Sequence, residues 1–244
     1  LTGTPIPKAP TDAWAQVKIV RPDSTAARYF GAFRDQVMRQ VTQFKWVAKE
    51  DSLDTVHRIM QPAIRFKRED CIDLPPTTYL DRHAELGAEQ GKMYKSMLDK
   101  FKAECDAGQV TAVNEAVKVN KLLQIVSGVA YGDDGDITLP SPARVQVVKD
   151  TIEEADGKVI VFVPFTGALT TLAAELGEDY TVEIIHGGVS KNERDRIFGE
   201  FQNGNNPKVL VANASAMSHG ITLTAADTII WYSPVHSADT YEQA

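Results

Sequence analysis

The fold is decided between residues 158 and 212, which read KVIVFVPFTGALTTLAAELGEDYTVEIIHGGVSKNERDRIFGEFQNGNNPKVLVA. Three short apolar runs, Val159–Val163, Val182–Ile185 and Val209–Ala212, alternate here with two segments of helical spacing, Ala168–Leu176 and Lys191–Phe201. Short strands that alternate with helices are joined by right-handed crossovers and form a parallel sheet with helices on both faces. The stretch therefore predicts an α/β fold.

The same pattern extends to both sides of this stretch. Upstream, Val113–Val126 has helical spacing, and Ser141–Glu154 predicts a helix with Ser141 as its cap and Pro142 in its first turn. Downstream, Thr228–Tyr232 predicts another strand. Because ligands of such sheets bind at the carboxyl ends of the strands, the functional loops should begin at Pro164, His186, Asn213 and Ser233.

The first part of the chain has a different pattern. Apolar residues on one face predict helices over 26–43 and 87–105, with the phenylalanine and methionine side chains in the core. Leu74-Pro75-Pro76 cannot be helical and marks a boundary, and the imperfect alternation of Tyr79–Leu86 favours a strand. We therefore divide the chain into a mainly helical segment with a basic linker, 1–76, and an α/β domain, 77–244.

The composition of the 244 residues is that of a globular protein, with 43% hydrophobic and 24% charged residues. No apolar run approaches the roughly 20 residues of a membrane span, and no secretory leader follows Leu1, so we expect no membrane association. Cys71 and Cys105 lack the spacing of a zinc site or a disulfide framework, which favours the cytoplasm.

The formal net charge of −7 is unevenly distributed, with +3 on residues 1–122 and −10 on residues 123–244. Proteins that coat nucleic acid are normally basic overall, so any nucleic-acid contact should be local. The densest basic stretch contains Arg58, Arg65, Lys67 and Arg68, which is equally consistent with a solvated surface.

Motifs of a self-contained catalytic centre are absent from the sequence. A P-loop needs Gly-x-x-x-x-Gly-Lys-Ser/Thr after a strand, and the chain contains no such motif. Gly-x-Ser-x-Gly, His-Glu-x-x-His and Gly-x-Gly-x-x-Gly are also absent. The cluster Asp133-Asp134-Gly135-Asp136 lacks the later ligands of a calcium loop and predicts a turn. We expect no catalytic residue and no metal ligand in the chain.

Several short segments nevertheless stand in a characteristic order: Leu1-Thr2-Gly3-Thr4-Pro5; Pro62–Arg68 with Leu74-Pro75-Pro76; Glu89-Gln90 with Tyr94; Lys158–Phe165; His186-Gly187-Gly188 with Glu193-Arg194 and Phe201; Gly220–Asp227; and Gln243-Ala244. They resemble, in order, the third motif, the basic Leu-Pro-Pro segment, the opening of the second lobe and the fourth to sixth motifs of Swi/Snf-type superfamily II DNA helicases and translocases. Met217 and Ser218 stand where the family has a Gly pair, and Ser233 where it has an Asp. This divergence resembles a phage or prophage relative.

The resemblance implies a RecA-like second lobe preceded by the tail of the first lobe, in a fragment that lies between the P-loop and the arginine-bearing sixth motif. It implies that the intact protein uses ATP and Mg²⁺ to move along duplex DNA independently of sequence in a bacterial or phage-infected cell. The fragment alone would not bind ATP or Mg²⁺ and would not hydrolyse ATP. It would need the missing first lobe for that reaction.

Site residues carried over from the resemblance fall into three groups. Coupling between nucleotide state and DNA contact falls to Thr2, Gly3, Thr4 and Pro5. Nucleotide binding falls to Gly220 and Thr222. Contacts to DNA fall to Arg65, Lys67, Arg68, Phe165, Thr166, Gly187, Gly188, Asn213, Ser215 and Ser218.

Two other function classes remain open at this point. A non-catalytic nucleic-acid-binding or scaffolding module could have kept a RecA-like lobe, and a longer reading frame with a P-loop would argue against it. A small-molecule α/β enzyme would need converging acid and base groups at the strand ends, where only Asp227 and Asp239 are candidates.

Overall fold

A computed structural model of the chain describes residues 5–22, 24, 28–64, 66, 77–106, 112–132, 135–217, 221–235 and 237–243. The chain forms two compact units, Leu1–Tyr79 and Leu80–Ala244. We call them the first and second units and describe each by itself. No helix in the described part of the chain is long and apolar enough to cross a membrane.

The described residues of the first unit form three short helices and a hairpin. A 3₁₀ turn, Pro10–Asp12, leads into α1 (Ala13–Val20); α2 (Phe30–Val37), β1 (Met38–Gln40), β2 (Trp46–Ala48) and α3 (Ser52–Met60) follow. Its small core contains Ala13, Phe33, Val37 and Val56. Phe33 thus confirms part of the predicted core, whereas Phe30 is exposed and Met38 is half-buried.

The helix predicted over 26–43 is wrong in its second half. After Val37 the backbone of Met38 becomes extended, with φ −125° and ψ 154°. β1 then pairs antiparallel with β2, so that Gln40 lies opposite Trp46. The guanidinium of Arg34, on α2, lies 3.8 Å from the centroid of the Trp46 ring. These contacts to a later segment favour the hairpin over a longer helix. They cannot be inferred from the spacing of apolar residues within 26–43 alone.

The second unit begins with two helices and a second hairpin. α4 covers Ala88–Asp106 and α5 covers Ala112–Val126, close to the predicted bounds; β3 (Val129–Gly132) and β4 (Gly135–Thr138) follow. Gln90 is buried where it joins the two helices, because its amide nitrogen donates to the Ile125 carbonyl (3.0 Å) and its oxygen accepts from the Gly87 amide (3.0 Å). The strand expected over 79–86 is absent from these described residues; Tyr79 and Leu80 are more than 70% exposed, so the segment has no buried face.

The rest of the second unit is the predicted α/β alternation. Its elements are α6 (Pro142–Glu154), β5 (Lys158–Phe162), α7 (Thr166–Leu176), β6 (Val182–Ile185), α8 (Lys191–Asn203), β7 (Val209–Ala212), β8 (Ala226–Trp231) and α9 (Ala238–Gln243). The strands form one parallel sheet in the order β6-β7-β5-β8. This confirms the parallel α/β fold expected from the sequence.

Helices cover both faces of this sheet. Because side chains alternate along a strand, Val159 and Val161 of β5 pack with α6 and α7 on one face. Ile160 and Phe162 pack with α8 on the other. Burial on both faces explains why these strands are continuous apolar runs.

Two lysines complete helix ends at the amino edge of the sheet. The Lys158 ammonium donates to the carbonyls of Phe201 (2.6 Å) and Gly204 (2.8 Å), at the end of α8. Lys208 makes the equivalent contact with Gly157 (2.5 Å), beyond the end of α6. A cation at this position donates hydrogen bonds to carbonyls that lack a partner within the helix, and it interacts favourably with the negative end of the helix dipole. Burial lowers the pKa of Lys158.

Candidate functional site

Four loops leave the sheet at its carboxyl edge, after β5, β6, β7 and β8. We call them the strand-end loops and define them as residues 163–166, 186–190, 213–217 and 232–235. Because all four strands are parallel, these loops lie at one edge of the sheet. None of their residues is Asp or Glu, although residues 123–244 as a whole carry −10.

Asn213 holds three of the segments at this edge together. Its backbone N–H donates to the Ile185 carbonyl at the end of β6 (2.8 Å). Its side-chain nitrogen donates to the Pro164 carbonyl (2.9 Å), and its side-chain oxygen accepts from the Ser215 amide (3.0 Å). Both polar atoms of the side chain predicted to contact DNA phosphate therefore have a partner within the protein, and the side chain joins the loops after β5 and β7.

One cavity, which we call the first cavity, lies beside Asn213 and has a volume of about 290 Å³. It brings together three predicted site residues, Phe165, Asn213 and Ser215. The Ser215 side chain is exposed, whereas Asn213 is half-buried. Asn120 and Leu123 of α5 also line it, and no motif in the sequence marks them; neither does one mark the lining residues Pro234, Val235, Ser237 and Thr240. Their participation depends on tertiary packing rather than on a motif.

The second, more open cavity has a volume of about 510 Å³ and lies at the start of α7. It contains Phe165 and the exposed Thr166, and Tyr131 and Asp136 line it from the β3–β4 hairpin. The Tyr131 hydroxyl accepts from the Gly167 amide (3.0 Å), and its ring packs edge-on against Phe165 at 6.3 Å. The available signal for this hairpin is the Asp-Gly sequence at the start of β4, whose first residue, Gly135, has φ 118°.

The loop after β6 contains the two predicted glycines, both exposed. The Gly188 amide donates to His186 Nδ1 (3.0 Å), and a Cβ on Gly188 would come within 2.9 Å of the His186 ring. A Cβ on Gly187 would meet no atom within 4 Å. Gly188 thus forms the turn, whereas Gly187 leaves open space into which a ligand can approach the backbone.

The loop after β8 is fixed by buried hydroxyl groups. The hydroxyl oxygens of Ser127 and Ser233 lie 2.6 Å apart, and Arg144 donates to the Tyr232 carbonyl (2.9 Å). Burial raises the pKa of Tyr232, whose ring is only 7% exposed. This network keeps the β8 loop at a defined position next to the first cavity.

Two other predicted residues that the structure describes, Thr222 and Pro5, line neither cavity. Thr222 is exposed on the segment before β8. Pro5 belongs to the first unit, where its carbonyl accepts from the Gln16 side chain (2.6 Å). The others lie outside the described residues: Thr2, Gly3, Thr4, Arg65, Lys67, Arg68, Ser218 and Gly220. Among the described residues, no group of three or more His, Cys, Asp or Glu side chains could hold a metal ion.

Two family profiles match successive parts of the chain. The SNF2-related domain matches residues 1–128, and the helicase conserved C-terminal domain matches residues 143–244. Similar curated proteins include putative protein p41 of Acyrthosiphon pisum secondary endosymbiont phage 1, 23% identical over 100% of this chain and 53% of its own length. Another is an uncharacterized ATP-dependent helicase of Mycoplasma genitalium, 26% identical over 98% of this chain and 23% of its own length. The chain thus spans 53% of the length of the first relative and 23% of the length of the second.

Solved structures agree with these profiles. The Sulfolobus solfataricus SWI2/SNF2 ATPase C-terminal domain is 28% identical, with a TM-score of 0.50 over 62% of this chain and 69% of that domain. The ATPase core from the same organism, in complex with dsDNA, is 22% identical, with a TM-score of 0.51 over 91% of this chain and 48% of that core.

Proposed function

The chain belongs to the SNF2-related domain family, and on that premise we propose that it is the DNA-tracking part of an ATP-dependent helicase or translocase that moves along duplex DNA. The observation that carries this proposal is the order of the two family profiles on one chain. The second unit, which contains the whole of the helicase C-terminal match, has a parallel sheet with carboxylate-free loops at one edge.

The strand-end loops offer neutral hydrogen-bond donors to DNA phosphate. The exposed hydroxyls of Thr166 and Ser215 and the open backbone at Gly187 are the contacts we propose. Asn213, Gly188 and Phe165 act by holding these groups in place. Contacts of this kind bind phosphate and sugar, so they fix the position of the protein on DNA without selecting a sequence.

ATP and Mg²⁺ belong to the proposed activity, but the described residues do not form a site for them. Of the two nucleotide-binding positions only Thr222 is described, and its exposed hydroxyl lines neither cavity. The 244 residues contain no P-loop motif. We therefore assign no hydrolytic step to these residues and propose that Gly220 and Thr222 face a nucleotide held largely by a first lobe, with Thr2, Gly3, Thr4 and Pro5 coupling that lobe to DNA contact. The phage and mycoplasma relatives support a cytoplasmic site of action.

The DNA contact is tested by duplex binding with two matched substitutions. Ser215→Glu introduces a carboxylate at the proposed phosphate contact, and Ser96→Glu introduces the same charge on an exposed face of α4. In fluorescence anisotropy with a labelled duplex, we expect Ser215→Glu to weaken binding about tenfold or more. Ser96→Glu should change it less than about twofold. Equal effects of the two variants would refute the proposed interface.

The basic linker is tested by the salt dependence of the same binding. Each phosphate neutralised by Lys or Arg contributes about 0.9 to the slope of log K against log salt. Replacing Arg65, Lys67 and Arg68 together by Ala should lower the slope accordingly, and an unchanged slope would remove these residues from the proposal. In the same preparation we expect no DNA-stimulated release of phosphate from ATP; robust release would contradict the division of the nucleotide site described above.

A further inference from the structure

The β1–β2 hairpin of the first unit presents an aromatic side chain to solvent. Phe44, in the turn, is 88% exposed, and Val41 is 51% exposed. Single exposed apolar residues are common on protein surfaces, so exposure alone assigns nothing. Phe44 is distinguished by the rigidity of the turn that carries it and by the charges beside it.

Hydrogen bonds brace the turn from both strands. The Val41 amide donates to the Lys45 carbonyl (2.8 Å), and the Lys45 amide donates to the Thr42 hydroxyl (3.1 Å). The Gln40 side chain donates to the Gln43 carbonyl (3.1 Å). Phe44 is therefore carried on a turn held by its own residues, and an aromatic side chain on such a support loses little conformational entropy when it binds.

The hairpin is basic and contains no acid. Residues 36–49 include Arg39, Lys45 and Lys49 and no Asp or Glu. Lys49 donates to the Asp35 carbonyl (2.6 Å) at the base of the hairpin. Neither Arg39 nor Lys45 makes an ion pair with any residue that the structure describes. Two cations beside the turn are thus available to an anionic ligand.

The register places these cations on the open face of the hairpin. Arg39 lies opposite Val47, and Val41 opposite Lys45, so by strand alternation all four share one face. Trp46 belongs to the other face, where Arg34 covers its ring. The open face therefore combines the two cations with a partly exposed valine, next to the exposed phenylalanine of the turn.

We propose that this hairpin tip binds an unpaired DNA strand, with Phe44 stacked on a base and Arg39 and Lys45 contacting the flanking phosphates. One aromatic ring among polar and cationic side chains matches a strand in which flat bases alternate with anionic phosphates. A pocket on a protein partner would call for a larger apolar patch, and Thr42 and Gln43 beside Phe44 are polar. The inference rests on the proposed DNA-tracking function and adds a preference for single strands at a second place on the chain.

The test uses the full 244-residue chain with a labelled 12-nucleotide single strand and the corresponding duplex. Phe44→Ala should weaken single-strand binding by about 5- to 100-fold, the range for loss of one stacked base, and leave duplex binding unchanged. Phe44→Trp should restore single-strand binding. The matched control is Tyr79→Ala, which removes a 78% exposed aromatic side chain outside the hairpin. It should change neither the single-strand affinity nor the duplex affinity.

Stacking has its own optical signal. A 2-aminopurine base in the single strand should lose fluorescence on binding to the wild-type chain and not on binding to the Phe44→Ala variant. Replacing Arg39 and Lys45 by Ala should lower the salt slope of single-strand binding by about 0.7 for each phosphate that these cations no longer neutralise.

The inference is overturned if Phe44→Ala leaves single-strand affinity and the 2-aminopurine signal unchanged, which would leave a protein partner as the ligand of the tip. It is also overturned if that variant weakens single-strand and duplex binding equally. Wild-type duplex binding reports on the proposed function separately, so retention of duplex binding with no effect of Phe44→Ala rejects the hairpin site alone. Thermal unfolding of each variant checks that the first unit remains folded.

Discussion

Replacement of Asn213 by Ala removes the side chain that joins the strand-end loops. The variant lacks two hydrogen bonds, one to the Pro164 carbonyl at 2.9 Å and one from the Ser215 amide at 3.0 Å. Each neutral bond of this kind contributes about 0.5–1.5 kcal/mol, so the free energy of unfolding of the second unit should fall by about 2 kcal/mol. For a unit of this size the melting temperature should fall by about 4–8 °C.

The assay combines thermal unfolding, followed by circular dichroism, with amide hydrogen exchange at Ser215. Asn213→Ala should lose protection of the Ser215 amide, because its acceptor is gone. Asn213→Asp keeps that acceptor and loses only the donor to Pro164, so it should retain Ser215 protection and lose about 1 kcal/mol of stability.

The comparison variant is Ser215→Ala, which removes an exposed hydroxyl and should leave the melting temperature within about 1 °C of the wild type. Duplex DNA binding should weaken in both Asn213→Ala and Ser215→Ala, but only the first should be less stable. A melting temperature of Asn213→Ala equal to that of the wild type would refute the positioning role. Unchanged DNA binding with a lowered melting temperature would show that the loops do not contact DNA.

Three further predictions concern the frame that supports these loops. Lys158→Met removes the cation at the end of α8 and should lower the free energy of unfolding, measured by chemical denaturation, by about 2 kcal/mol. Lys191→Met, at the exposed start of the same helix, should leave the free energy of unfolding unchanged. Equal losses in the two variants would contradict the role of Lys158 at the helix end. Arg196 holds the pKa of Glu193 below its ordinary value of 4.5, so the stability that this ion pair adds is present above pH 4.5 and is lost as the pH falls through the pKa of Glu193 in the folded state. The difference in unfolding free energy between wild type and Arg196→Gln, measured by urea titration, should therefore shrink over that pH range. A difference that stays constant would contradict this. Tyr131→Phe leaves the Gly167 amide without its acceptor and should lower the unfolding free energy by about 1 kcal/mol, and an unchanged value would mean that water replaces the hydroxyl.

The sheet could be predicted from the sequence because its two central strands, β5 and β7, are buried on both faces. Val209–Ala212 has the predicted bounds because four adjacent aliphatic residues between turn signals are typical of a buried strand. Val182–Ile185, which Glu183 interrupts, has the predicted bounds as well. The two hairpins were missed for the opposite reason. β1–β2 and β3–β4 are short and half-exposed, and each depends on contacts outside its own segment, Arg34 on Trp46 in one case and the packing of Tyr131 against Phe165 in the other.

The candidate site was predictable in position but not in detail. Parallel topology placed functional loops after β5, β6 and β7, and the structure brings Phe165, Thr166, Asn213 and Ser215 to the cavities there. Which of these residues position the loops and which are available to a ligand could not be derived from the sequence, because this depends on which polar atoms already have partners inside the fold. Asn213 and Ser215 are both small polar residues of one loop, and only the hydrogen bonds distinguish a positioning residue from an available one.

The proposed phosphate contacts at the strand-end loops come from hydroxyl and amide groups rather than from cations, and this has a consequence for movement. Neutral donors release no condensed counterion when they bind phosphate, so they add little to the salt dependence of binding and little to its overall strength. The negative charge of residues 123–244 weakens DNA attraction further. Firm attachment must then come from basic residues elsewhere, such as Arg65, Lys67 and Arg68, while the strand-end loops exchange one phosphate for the next at low cost. We therefore expect loop variants such as Ser215→Ala to shift duplex affinity at a constant salt slope, and the basic-linker variant to change the slope itself.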